Sequence, residues 1–139
     1  MKKYLFLLLI LVAVTACKKT KFEPEGPTDV RVRNQQGTEI YSEVVINTAG
    51  VRDTIGNIKK LGNISPGEVS GYQRVKIAFP KAEITVKING EKFSTGAVNS
   101  TYMQYIGQMR VTYEVYISNM TNKVLTISNV IPEEPLPPK

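Results

Sequence analysis

From Gln108 to Ser118 the chain alternates without a break. Met109, Val111, Tyr113, Val115 and Ile117 fall on one side, and Arg110, Thr112, Glu114 and Tyr116 on the other. Only an extended strand returns every second side chain to the same face, so this segment is a strand with one face on a core and one toward water. Glu83–Ile88 repeats the pattern, with Ile84, Val86 and Ile88 inward. Asn89-Gly90 follows, a dipeptide suited to a two-residue hairpin because both positions tolerate positive φ. Val30-Arg31-Val32-Arg33 alternates as well, and Ile40–Asn47 is rich in β-branched residues. Ala49–Gly56 and Ile58–Ile64, broken by Gly50, Gly56 and Gly62, read as short strands or loops, and further strands are predicted in Val69–Phe79 with a bend at Gly71 and in Val124–Val130. Turn residues punctuate the spaces between them at Asn34–Gly37, Ser65–Glu68 and Asn119–Asn122.

No segment carries a helical period of useful length. The expected fold is all-β: an antiparallel β-sandwich of about seven strands, immunoglobulin-like or transthyretin-like, or a small barrel. Clean alternation argues against parallel strands buried on both faces. The chain divides into residues 1–16, a signal peptide; 17–27, a flexible tether with two prolines and a glycine; 28–131, the β domain; and 132–139, a Pro-rich tail expected to stay out of the sheet and remain mobile.

The first of these segments has a short basic start, Met1-Lys2-Lys3, and an apolar run from Tyr4 to Val14 that is too short to span a bilayer. Val14-Thr15-Ala16-Cys17 follows at once. This order resembles the lipobox of bacterial lipoproteins: an apolar residue, two small ones, then cysteine. The resemblance implies cleavage between Ala16 and Cys17, a diacylglyceryl thioether on the Cys17 sulfur, and acylation of the new amine. Two or three acyl chains anchor stably where one is marginal. The thiol at this position is the chain's only one, which leaves no intrachain disulfide.

The domain runs Val-Arg-Val-Arg-Asn, then Ser-Glu-Val-Val-Ile-Asn-Thr, Gly-Asn-Ile-Ser-Pro-Gly-Glu-Val-Ser-Gly-Tyr and Val-Lys-Ile-Asn-Gly. This order of features resembles a set of small, uncharacterised lipoproteins of Bacteroidota. The resemblance spans Val30 to Tyr113 and carries no functional residue with it.

Chemistry is sparse. The 139 residues include no His, the commonest general base and metal ligand. Ser65 and Ser70 sit in a turn region without a lysine at helical spacing, and the acids are scattered over outward strand positions and turns. Neither pattern builds a nucleophile with its base or a carboxylate pair, and no Asp-rich loop suggests Ca²⁺. No catalytic residue, metal or cofactor is therefore expected. Removing Lys2 and Lys3 leaves 16 basic against 12 acidic side chains, too mild an excess to point to nucleic acid.

Tyr102 and Tyr105, with Met103 and Ile106, make the most apolar loop-like stretch. They are candidates either for gripping a partner or for covering the open end of the core. Lys59, Lys60 and Arg52 are loop charges that would touch headgroups or acidic glycans, or simply be solvated. Asp53-Thr54-Ile55 resembles the O-glycosylation acceptor pattern of Bacteroidota, which makes Thr54 a candidate for modification. Asn63, Asn99 and Asn119 lie in N-glycosylation sequons, coincidental in a bacterium.

The expectation is a non-enzymatic, lipid-anchored envelope protein that binds an envelope protein or glycan or stiffens an assembly. The alternative is an accessory or inhibitory subunit of an envelope enzyme or surface assembly. Lys18 after the anchor is not the Asp that retains some lipoproteins at the inner membrane. Glu23 and Glu25 come later and sparser than in surface-export signals, so the expected location is the outer membrane, periplasmic face. Substituting Cys17→Ala should abolish lipidation and leave uncleaved precursor or a soluble form. Detergent phase partition checks this, and a processed variant still in the detergent phase would refute the lipobox reading.

Overall fold

The strand of perfect alternation, 11 residues long, carries Val111, Tyr113 and Val115 into the core. A computed structural model describes residues 25–50 and 55–136. Among them are eight strands and no helix: β1 (Thr28–Asn34), β2 (Tyr41–Asn47), β3 (Ile58–Ile64), β4 (Gln73–Val75), β5 (Glu83–Ile88), β6 (Glu91–Ser94), β7 (Met109–Asn119) and β8 (Val124–Pro135). They form one sheet in the order β3-β2-β5-β6-β8-β7-β1-β4. The outer strands β3 and β4 come back toward each other, so the sheet is rolled nearly into a barrel. Asn34 helps close the gap, its Nδ2 donating to the Ile64 carbonyl at 3.1 Å and the Glu39 carbonyl at 2.7 Å. Opposite this gap, β6 and β8 are joined by a single residue pair, Ser94 and Val124.

Inward positions are those the alternation marks. Val30, Val32, Val44, Ile46, Ile84, Val86, Ile88, Phe93, Val111, Tyr113, Val115 and Leu125 are all buried in one cluster. Two buried tyrosines satisfy their hydroxyls on backbone: Tyr41 donates to the Val115 carbonyl at 3.2 Å and Tyr113 to the Phe79 carbonyl at 2.6 Å. Burial pushes both phenols above their ordinary pKa, so they stay neutral donors. The hairpin at Asn89-Gly90 forms as expected, with φ of 51° and 84°.

Three expectations need correction. The sheet has eight strands, not about seven, and it is mixed: β1 runs parallel to β7 from Asp29↔Arg110 to Asn34↔Val115, and β6 meets β8 in parallel. It is a nearly closed barrel, not clearly an antiparallel sandwich. Alternation reports one buried face per strand and is silent on strand direction. Val69–Phe79 is also mostly not strand. Only Gln73–Val75 pairs with β1, and Val69 forms a lone bridge to Arg33. Finally, the tail joins the sheet as far as Pro135, with Pro132 opposite Val111 and Pro135 opposite Met109. Beyond Val124, β8 has a neighbour on one side only, so prolines fit there by turning their missing N–H away from β7.

The docked tail covers an ionic ladder on the outer face of β4, β1, β7 and β8. Arg74 grips Asp29 with two hydrogen bonds, 2.7 and 2.9 Å. Arg31 donates to Thr112 Oγ1 at 2.8 Å and to Glu133 at 2.7 Å, and Arg33 to Glu114 at 3.1 Å. The Tyr72 ring lies under two guanidiniums, 4.6 Å from Arg31 and 5.0 Å from Arg110. Its hydroxyl and that of Thr112 both donate to Glu133. Partial burial would raise the Glu133 carboxyl, but the donors Thr112, Tyr72 and Arg31 outweigh it and hold it below the ordinary carboxylate range.

A carboxyl with a depressed folded-state pKa contributes stability above its unfolded pKa and loses it as pH falls through the folded value. Glu133→Gln should therefore cost about 1 kcal/mol at pH 7, and this difference should be smaller at pH 3. Urea unfolding of both proteins at the two pH values measures it.

Candidate functional site

The parallel register of β1 and β7 puts the starts of both strands at one end of the barrel. Thr28 Oγ1 donates to the Gly107 carbonyl at 2.6 Å across this junction. The same end gathers residues 48–50 and 55–57 and the loops 76–82 and 95–108. Thr48 Oγ1 donates to the Ile77 carbonyl at 2.7 Å, and the Ile77 N–H to Asn57 Oδ1 at 3.0 Å. Gly50, at φ +66°, lies so close to the Val98 carbonyl that a Cβ would sit 2.1 Å from it.

The loop before β7 is thus pinned, not free. Ser100 is buried and donates to the Ala49 carbonyl at 2.8 Å, while the Ile106 N–H donates to the Ala78 carbonyl at 2.8 Å. Between these two anchors the chain turns, with the Met103 N–H on the Ser100 carbonyl at 3.1 Å. Tyr102 projects from that turn 97% exposed, and Tyr105 is 44% exposed. Ile106 packs against the core. The two roles considered for this stretch are therefore divided: Ile106 covers the core and Tyr102 faces outward. Ile55, 75% exposed, lies on a neighbouring loop of the same end.

Other sequence candidates are not brought to this end as a group. Ser70 is buried, accepts from the Val32 N–H at 3.1 Å and donates to the Gly71 carbonyl at 3.0 Å, which is turn chemistry. Lys59 and Lys60 lie on β3. Ala16, Cys17, Arg52 and Thr54 lie outside the described residues. Among the described residues no three His, Cys, Asp or Glu side chains converge to hold a metal. A cleft of about 220 Å³ opens at the β6–β8 seam, lined by Lys81, Thr95, Val98, Leu125 and Ile127 among others. This is smaller than the few hundred Å³ usual for a small-molecule site.

Sequence reading missed the ladder. Its inner members were in view as the outward residues of β1 and β7. Its closing member, Glu133, sat in a tail that the prolines had assigned to solvent.

Comparison with known proteins adds two findings. The family model for the prokaryotic membrane lipoprotein lipid attachment site matches residues 1–17. No curated protein matches the chain. Among solved structures, the NMR structure of a protein from Eubacterium rectale is similar in fold, with a TM-score of 0.51 and 14% identity over 82% of this chain and 96% of that one. At that identity the likeness concerns the fold alone. The attachment-site match supports a bacterial lipoprotein, with the all-β domain held in the cell envelope by an N-terminal lipid.

Proposed function

We propose that this lipoprotein works by contact and not by turnover, and that the end of the barrel bearing Tyr102 and Tyr105 is its contact surface. The observation that carries the reading is Tyr102, a large amphipathic ring held almost fully exposed on a loop that is anchored on both sides. A preorganised ring binds without first losing loop entropy. Exposed tyrosine offers apolar area and a hydroxyl at once.

A non-enzymatic role is supported by how the polar groups are used. Asp29, Glu114 and Glu133 are each committed to a guanidinium, and Ser70 to backbone. Groups so engaged stabilise the sheet and are poor bases. On this reading the domain works at the outer membrane on the periplasmic face, which Lys18 and the late, sparse acids Glu23 and Glu25 support. Its partners there are envelope proteins, glycans or the membrane itself.

A photo-crosslinking residue placed at Gln104 in cells should give adducts, and the same residue at Asn122, on the opposite end, should give few. Equal yields from both, or none from Gln104, would overturn the reading. Protease shaving of intact cells tests the membrane face: the domain should be protected.

A further inference from the structure

We propose that the surface bearing Tyr102 and Tyr105 rests on the same bilayer that holds the lipid on Cys17. This depends on the reading of that surface as the contact site and names its occupant.

The tether gives the first argument. The described chain enters at Glu25 and Gly26, at the tyrosine end: Gly26 is packed so tightly on the Lys76 carbonyl that a Cβ would lie 1.8 Å from it. Cys17 is eight residues before Glu25. At full stretch that segment reaches about 28 Å. Met120, at the far end of β7, lies about 35 Å along the strand from this entry point. The opposite end also exposes apolar groups, Ile40 and Met120. Seating that end on the membrane would demand more chain than the tether has. The tyrosine end is within easy reach.

Composition gives the second. Tyrosine concentrates at membrane–water interfaces, where the ring enters the headgroup layer and the hydroxyl stays wet. Tyr102, Tyr105 and Ile55 supply such a surface. Loops 76–82 and 95–108 contain no acid, and the first presents Lys76 and Lys81, both exposed, while in the segment bearing Ile55 the sequence sets Arg52 beside Asp53. Lys18, Lys19 and Lys21 follow the anchor directly. The nearest acids of the tail are already paired, Glu133 with Arg31 at 2.7 Å and Glu134 with Arg110 at 3.8 Å. Lysines beside a lipid anchor add attraction to anionic headgroups.

The test uses the full lipidated protein in vesicles of phosphatidylethanolamine and phosphatidylglycerol. Cys17 is alkylated by its lipid, so a cysteine introduced by Gln104→Cys or Asn122→Cys is the free thiol for a nitroxide. The Gln104→Cys label should be protected several-fold from a water-soluble nickel relaxant and reached by oxygen, while the Asn122→Cys label stays aqueous. Adding Tyr102→Ala and Tyr105→Ala should return the first label to water with the unfolding midpoint unchanged. Replacing the anionic lipid with phosphatidylcholine should weaken the protection. If the Gln104→Cys label is aqueous in both vesicles, the bilayer is not the occupant. Protein or glycan adducts from Gln104 in cells would then preserve the contact reading, and their absence would end both.

Discussion

Parallel pairing of β1 with β7 is the constraint on which the rest of this structure depends. It runs over six residue pairs, Asp29↔Arg110 to Asn34↔Val115. On the inner side it stacks Val30 and Val32 beside Val111, Tyr113 and Val115 in the core. On the outer side the same register sets Asp29 beside Arg110, Arg31 beside Thr112 and Arg33 beside Glu114. A slip of one residue would send the valines out and the arginines in. The ladder and the core thus specify the same register independently, and the docked tail adds Glu133 to the same face.

Direction matters as much as register. Because the two strands start together, the segment leading from the lipid and the loop leading into β7 meet at Thr28 and Gly107. An antiparallel pair would have put them at opposite ends. The placement of Tyr102 on the tethered side of the domain follows from strand direction alone.

That direction was the part of the fold least legible in the sequence. Alternation at Gln108–Ser118 and Glu83–Ile88 gave strands, faces and a core that the structure reproduces, and Asn89-Gly90 gave its hairpin. All of these are local signals. Strand direction is decided by where a long connection returns, and nothing within five or six residues encodes it. Proline at 132 and 135 misled for a related reason: its cost depends on whether the neighbouring position is occupied, a property of the whole sheet. The attachment pattern ending at Cys17 is local, four contiguous residues, and the family match at residues 1–17 falls on it. Tyr102 and Tyr105 were legible as an apolar loop, but their nearness to the tether was not.

The six-rung parallel ribbon also has a mechanical meaning. The lipid holds the chain through the start of β1, which enters at one end of the barrel. A load applied at the other end, through the turn at Asn119–Asn122, would pull β1 lengthwise past β7. Its hydrogen bonds then lie across the force and must give way together, where a hairpin peeled from its tip yields one rung at a time. A domain strung this way between a membrane and whatever pulls on it is loaded along its most resistant direction.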